Sequence, residues 1–324
     1  MTAESIRLLS IIVPVYNEEA NLPEFVDSVL QVLDDLDRDF EIVLVNDGST
    51  DHSAEVLDEL AARLPQIKVV HFRRNFGQTA AMMAGLDYST GDVIVPIDAD
   101  MQNDPRDIPR LLERLDEGFD LVSGWRKDRK DAKLTRNFPS WLANRLISKI
   151  SGVKLNDYGC TLKAYRRSII EDIRLYGEMH RFLPIYASWA GARTTELAVN
   201  HNPRAHGESK YGLERVFKVP LDLIVVKFLS DYSQKPIYVF GGFGLFSHAL
   251  ALLTFVLMVY LKYWGGRSFI ETPLPILAAL FVLMGFISML LGLIAEIAVR
   301  TYHESQDKRT YTVRNTVNFD VDTS

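Results

Sequence analysis

The sequence predicts an α/β domain built on a mostly parallel sheet, followed by two membrane-spanning helices. Three observations carry that expectation. Apolar runs of strand length alternate with helical patterns over the first half of the chain. Several of those runs are apolar throughout, as strands covered on both faces of a parallel sheet are. Two long stretches without a charged residue stand near the C-terminal end. Of 324 residues, 48% are hydrophobic and 24% charged, yet nearly all the uninterrupted apolar sequence lies between Ile237 and Val299. The composition is therefore two-part, and the chain divides near residue 235.

The first run, Leu8 to Val15, follows a short N-terminal stretch with no basic region ahead of a long apolar one; MTAESIRLLSIIVPVYN reads as a β-branched strand closed by polar residues rather than a signal peptide. A helix from about Leu22 to Leu36 follows, then a strand from Glu41 to Asn46 and a helix from Ser53 to Leu64. The rhythm continues with Lys68 to Phe72, a helix over Gln78 to Ser89, Val93 to Ile97, a helix from Asp107 to Glu117, and Asp120 to Ser123. The run Val93-Ile94-Val95-Pro96-Ile97 has no polar face at all, which marks a central strand.

From Ile237 to Leu261 and from Pro275 to Ala295 there is no charged residue, and each run is long enough to cross a hydrocarbon core of roughly 30 Å as a helix. Two crossings return the chain to its starting side. Lys210, Arg215, Lys218, Lys227 and Lys235 precede the first run and Arg300, Lys308, Arg309 and Arg314 follow the second, against Lys262 and Arg267 between them. The positive-inside bias then places the first domain and both termini in the cytoplasm of an integral membrane protein. The organisation expected is a domain over 1–213, juxtamembrane amphipathic helices over 214–235, two spans over 236–300 and a tail over 301–324. Within the second segment Val219, Leu223 and Val226 recur at helical spacing beside Lys218, Asp222 and Lys227, a pattern that suits a helix lying on a membrane surface or one packed on the domain.

A net charge of −6 lacks the basic surface that phosphate-backbone affinity needs, so no nucleic-acid partner is expected. One cysteine, Cys160, excludes an intramolecular disulfide framework, and no ligand spacing suggests zinc.

In a parallel sheet, ligands collect at the carboxyl ends of the strands. Here the first strand ends in Tyr16-Asn17-Glu18, the second in Asn46-Asp47-Gly48-Ser49 and the fourth in Asp98-Ala99-Asp100. Carboxylates two apart in extended chain point the same way, so the oxygens of Asp98 and Asp100 suit Mg²⁺ or Mn²⁺ carrying a diphosphate, whereas the neutral amide of Gln102, which follows them, is a weak metal ligand by itself. Acidic residues at one strand end are also ordinary turn-formers, and Asp-Gly-Ser alone is a turn. Three polar ends converging on one cleft favour a ligand, with Asp47 placed to bond a base or ribose.

The segments IVPVYNEEANL, VNDGSTD, RRNFGQTAAMMAGLDYSTGD, DADMQNDP and HGESKYG, followed by two spans, closely resemble the inverting family-two glycosyltransferases of the dolichyl-phosphate mannose synthase type. DYGCTLKAYRR with HGESKY is most similar to bacterial undecaprenyl-phosphate sugar transferases. The resemblance covers almost the whole chain. It implies a GT-A nucleotide-sugar-binding domain in which Pro14, Tyr16, Glu18 and Asp47 hold the nucleotide, Asp98 meets the nucleoside side, and Asp100 and Gln102 ligate Mg²⁺ or Mn²⁺. It also implies a nucleotide-sugar donor, a polyprenyl-phosphate acceptor in the membrane, and a homo-oligomer such as a tetramer.

Cations follow the fifth strand. Arg126 and Arg129 offer guanidinium forks to the lipid phosphate, although the run Arg126-Lys127-Asp128-Arg129-Lys130-Asp131 also reads as a solvated charge run. The loop Arg204 to Gly212 combines glycines, hydroxyls and cations before the membrane, and it is a phosphate-closing loop in the resembled family. Arg204, Ser209 and Lys210 are assigned to the donor diphosphate and acceptor phosphate. Asp157 is assigned to acceptor positioning, with a structural cap as the alternative. Two other classes fit less well. A processive polysaccharide synthase carries a Gln-x-x-Arg-Trp motif and further spans, neither of which is present, and a non-catalytic adaptor has no use for an intact Asp98-to-Gln102 set.

Overall fold

The computed structural model describes residues 6–127, 144–145, 147–148, 151–173, 175, 179–203, 237–304 and 310–319. Two compact units emerge, 1–223 with 309–324, and 224–308.

In the first unit, β1 (Leu8–Val15), β2 (Asp39–Asn46), β3 (Ile67–Phe72), β4 (Val93–Pro96), β5 (Leu121–Trp125), β6 (Lys163–Arg166), β7 (Thr194–Ala198) and β8 (Val313–Val317) form one sheet. Its order is β7-β5-β6-β4-β1-β2-β3-β8. The pairs β1–β2, β1–β4, β2–β3 and β5–β7 are parallel, whereas β6 runs antiparallel to β4 and β5 and β8 antiparallel to β3. The mostly parallel sheet read from the sequence is present. Helices α1 (Leu22–Asp34), α2 (Ser53–Arg63), α3 (Gln78–Tyr88) and α4 (Ile108–Asp116) fall where their periodicity placed them.

The pleat of β1 explains the layering. Successive side chains leave opposite faces of a strand, so Ile11, Val13 and Val15 join one core layer with Phe25, Val29 and Leu33 of α1, while Ile12 enters the other with Ala81, Met83 and Ala84 of α3. α1 and α4 bury one stripe each, as amphipathic surface helices do. α3 is buried from Thr79 through Leu86, so it carries no polar stripe. Each large side chain fully removed from water, such as Phe25, contributes about 1.5–3 kcal/mol.

Within the stretch expected as a tail, β8 closes the β3 edge. It is fixed on both sides. Tyr311 stacks on Phe72 with ring centroids 4.9 Å apart and donates its hydroxyl to Asp87 (2.8 Å), and the Asn318 side-chain amide donates to Ala61 O and Ile67 O (2.7 and 2.8 Å).

The second unit contains two long helices, Ile237–Tyr263 and Leu274–Glu304. At 1.5 Å per residue they measure about 40 and 46 Å, enough to cross a bilayer. Their seam is made of small and hydroxyl-bearing residues: Ser247, Ala251, Thr254 and Ser288 are buried, and Ser288 Oγ donates across to Phe240 O (2.7 Å). A Cβ on Gly285 would stand 2.2 Å from the His248 ring, so the glycine admits that imidazole between the helices. Outward, Leu245, Leu252, Leu253, Leu290 and Ile297 are exposed. That is the distribution expected of helices solvated by lipid, which gives no driving force to bury such side chains.

Candidate active site

The β1–α1 and β2–α2 loops are laced together at the carboxyl end of the sheet. Asn17 adopts a left-handed conformation (φ 53°), which turns its side-chain carbonyl onto the Thr50 N–H (2.8 Å) and its own N–H onto Ser49 Oγ (3.1 Å). Ser53 Oγ accepts from Glu18 N–H, and Glu18 takes the Asn21 side-chain amide, which holds the start of α1. Asn46 accepts from Ser49 N–H and shares a hydrogen bond with His71 Nδ1, while His71 Nε2 faces Asp58. A cavity of about 430 Å³ opens over these loops, lined among others by Tyr16, Gly48, Ser49, Arg73, Arg74 and Arg314. Gly48, at φ +65°, is required there, since a Cβ would lie 2.3 Å from the Arg74 backbone.

Asp47 is buried and spoken for. Phe76 N–H donates to its Oδ1 (2.7 Å) and Gly77 N–H to its Oδ2 (3.0 Å), so the carboxylate organises the loop that leads into α3. Burial raises its pKa, outweighing the lowering by those two amides. Pro14 stands within β1, opposite Val45 of β2.

The acidic strand end is built from distant parts of the chain. Gln78, the first residue of α3, donates to Asp98 Oδ1 (2.9 Å), and Thr161 Oγ1 donates to Asp98 Oδ2 (2.6 Å). Both oxygens of Asp98 are thereby fixed. Burial, and then the adjacent Asp100 charge, push its pKa up to about 6. Asp100 itself is 8% exposed. Met101 takes the left-handed conformation (φ 61°), rare for an unbranched non-glycine residue, and this turn brings Gln102 N–H back to Asp100 Oδ1 (3.2 Å). Gln102 O in turn accepts from Asn202 N–H (2.9 Å), which ties the turn to the segment leading toward residue 204.

No group of three or more His, Cys, Asp or Glu side chains able to hold a metal occurs among the described residues. The donor set at Asp100 and Gln102, one carboxylate and one neutral amide, is what Mg²⁺ or Mn²⁺ takes when substrate phosphates and waters supply the remaining ligands. The residues fit an ion that arrives with a diphosphate.

Arg126 leaves β5 into a bidentate pair with Asp157, Nε to Oδ2 at 2.7 Å and Nη2 to Oδ1 at 3.0 Å. The two side chains are 13% and 4% exposed. Burial works against the guanidinium charge, but the Asp157 carboxylate outweighs it and drives the Arg126 pKa higher still. Lys163 is buried beside them and donates to Tyr158 O (3.3 Å) and Cys160 O, which holds the 157–162 loop in place. Burial pushes the Cys160 thiol up to about 11, so it remains a neutral packing group. Of the other expected site residues, Arg129, Arg204, Ser209 and Lys210 lie outside the described residues, as does the amphipathic stretch over 214–235. Gln78, Thr161 and Arg314 are not among the residues that the sequence marks for this site.

A mostly parallel α/β sheet with carboxylates at the ends of β1, β2 and β4 is an α/β protein with its polar groups where such sheets bind ligands, and residues 10–174 match the model of glycosyl transferase family 2. The chain belongs to that family. It is 41% identical over 310 residues to a dodecaprenyl-phosphate galacturonate synthase of Rhizobium johnstonii, covering 94% of this chain and 92% of the relative. It is 36% identical to an undecaprenyl-phosphate 4-deoxy-4-formamido-L-arabinose transferase of Shewanella sediminis, covering 96% and 93%. Both are bacterial polyprenyl-phosphate sugar transferases by name, and they match it over more than nine-tenths of its length. Glucosyl-3-phosphoglycerate synthase of Mycobacterium tuberculosis, solved with Mn²⁺, uridine diphosphate and phosphoglyceric acid, shares the GT-A fold at a TM-score of 0.52 and 20% identity, covering 69% of this chain and 78% of that one.

Proposed function

We propose that this protein moves a single sugar from a UDP- or GDP-linked donor onto a polyprenyl phosphate, with inversion, at the cytoplasmic face of the inner membrane. The observation that carries the proposal is the divided acidic pair: Asp98 is locked through both oxygens by Gln78 and Thr161, while Asp100 sits on the tight Met101 turn with Gln102 beside it. Relatives named for polyprenyl-phosphate substrates, matching through both long apolar helices, support the lipid acceptor.

A polyprenyl phosphate is already anionic near neutral pH, so its oxygen attacks the anomeric carbon without a strong base; that C–O bond forms as the bond to the nucleoside diphosphate breaks. In-line geometry inverts the centre. Asp100 and Gln102 would hold a divalent ion, which would supply neutralisation of the leaving diphosphate. Asp98, unable to rotate, keeps the donor side of the cleft in register. Arg126, held by Asp157 through two of its five N–H donors, presents positive charge to the acceptor phosphate. Arg129, Arg204, Ser209 and Lys210 are the other phosphate ligands we assign, and Tyr16, Pro14, Glu18 and Asp47 frame the nucleotide. Positioning two anions together is the main catalytic task.

The membrane side follows from parity. The chain leaves the catalytic unit before the first long helix and rejoins its sheet as β8 after the second, so two crossings put both connections on one side. The excess of Lys and Arg on that side supports the cytoplasm.

The test is nucleotide release by detergent-purified protein with Mn²⁺ across UDP- and GDP-sugars, with and without undecaprenyl phosphate. Lipid-dependent release from one donor is expected. Slow, lipid-independent release from every donor would refute the acceptor assignment.

A further inference from the structure

Arg314 reaches the cleft from the far end of the chain, beyond both long helices, and the geometry that brings it there is unusual. In the β3–β8 ladder His71 pairs with Asn315 but Phe72 pairs with Val313, so one step on β3 matches two on β8. Arg314 is the residue in excess. A bulge of this kind re-aims the side chain it carries, and bulges concentrate at sheet edges and beside active sites. The side chain so redirected lines the 430 Å³ cavity together with Tyr16, Gly48, Ser49, Arg73 and Arg74.

The placement is also firm. Tyr311, three residues before, is fixed by its Phe72 stack and its Asp87 hydrogen bond, and Asn318, four residues after, holds Ala61 O and Ile67 O. Arg73 Nε donates to Val313 O (3.4 Å), which ties the strand to the loop forming the cavity wall. An edge strand that only closed a sheet would not need a bulge at the point where it passes a cavity.

From this arrangement we infer that Arg314 is a donor-binding residue that contacts the nucleoside half of the nucleotide-sugar, so that the segment after the membrane helices completes the donor pocket. The inference rests on the reading of the cleft as a nucleotide-sugar site. Its chemistry fits the base and ribose rather than the diphosphate. The diphosphate belongs with Asp100 and Gln102, neither of which lines this cavity. A guanidinium, donor-only and planar, matches base carbonyl oxygens and stacks on a base plane, and the Tyr16 ring in the same cavity offers a second flat surface.

The experiment measures binding of UDP, GDP, UMP and GMP, each with Mn²⁺, to the full-length detergent-purified protein and to Arg314→Ala, Arg314→Lys and Asn315→Ala, together with their melting temperatures. The wild type is expected to bind one nucleotide series. Arg314→Ala should weaken that series roughly tenfold, monophosphate and diphosphate alike, with unchanged melting and unchanged KM for the lipid acceptor. Arg314→Lys should recover part of the loss, and Asn315→Ala should bind as the wild type does. Unchanged nucleotide affinity in Arg314→Ala, or a loss confined to the diphosphate, would overturn the assignment. A wild type that binds none of the four would instead defeat the donor reading itself.

Discussion

Replacing Asp157 by Asn tests whether that carboxylate works on the reactants or on Arg126. The change is near-isosteric, yet it removes the only negative charge hydrogen-bonded to the Arg126 guanidinium among the described residues, where Nε and Nη2 meet the two carboxylate oxygens at 2.7 and 3.0 Å. Both side chains are almost wholly out of water, at 13% and 4% exposure. Breaking a pair so buried leaves an uncompensated charge, which costs about 3 kcal/mol or more. For a unit of about 200 residues each kcal/mol moves the melting point by roughly 2–4 °C, so a fall of about 10 °C is expected. Thermal unfolding in detergent reads it directly. The double change Arg126→Met with Asp157→Leu, which removes both charges, should recover much of that stability while remaining inactive. A variant that melts with the wild type but has lost transfer would refute the scaffold role and make Asp157 a participant in the reaction.

Asp100→Asn should lower transfer by roughly 10²-fold or more with little change in melting, because it removes charge where the diphosphate and its ion gather; full activity in a lipid-dependent assay would sink the metal-site assignment. Burial alone would raise the pKa of Glu41, but hydrogen bonds from Lys68, Ser10 and Thr90 outweigh it and hold the carboxyl below its ordinary value. A carboxyl whose pKa is lowered by folding adds stability that is present above its unfolded pKa of about 4.3 and is lost as pH falls through the folded value. Stability measured by denaturant should therefore drop more steeply below about pH 5 in the wild type than in Glu41→Gln, and parallel curves would contradict the network. Gly48→Ala should weaken nucleotide binding and lower melting, since its Cβ meets the Arg74 and Asn75 backbones within 2.8 Å at a positive φ; wild-type values for both would show that the two loops separate easily. Removing residues 310–324 should bare the outer edge of β3 over Val69 to Phe72, lowering melting and promoting association through that edge, as size-exclusion chromatography would show. A monodisperse product with wild-type melting would mean β8 adds nothing to the sheet.

The parts of this molecule that were legible in the sequence are those that depend on local pattern. Strand-length apolar runs and helical periodicity gave β1 to β5 and α1 to α4 to within a few residues, because burial on both faces of the sheet leaves a signature in the composition of each strand. The polar ends of β1, β2 and β4 were visible for the same reason: each interrupts an apolar run. What escaped depends on pairings across the chain. Thr161 lies 63 residues from the Asp98 it fixes and Gln78 lies 20 away, and no local feature of either announces the contact. β8, with the sequence VRNTV, is too short and polar to read as a strand; its identity comes from the unpaired edge of β3 and from the anchors at Tyr311 and Asn318. Asp47 shows a subtler limit. Its position beside the cleft was evident, but that its two oxygens would be taken by the Phe76 and Gly77 amides follows from where the β3–α3 loop lands, which the strand pattern does not encode.

Those long-range pairings bear on how the site achieves positional precision without a preformed cage of metal ligands among the described residues. Each acidic strand end is restrained by a neighbour from another segment: Asp47 by the loop before α3, Asp98 by α3 and the 157–162 loop, and the Asp100 turn, through Gln102 O, by Asn202. The 157–162 loop is itself held by the Asp157–Arg126 pair and by Lys163. Restraint of this kind would allow the site, on the proposed reading, to remain short of ligands, because the donor would bring the missing oxygens to carboxylates whose geometry is already set. It also makes the residues that hold the carboxylates as exposed to mutation as the carboxylates themselves. The part-buried Thr161–Asp98 hydrogen bond, made by a hydroxyl to a charged oxygen at 2.6 Å, belongs to the class whose loss costs about 1.5–3 kcal/mol, comparable to the loss of one transition-state hydrogen bond in an enzyme that works by positioning.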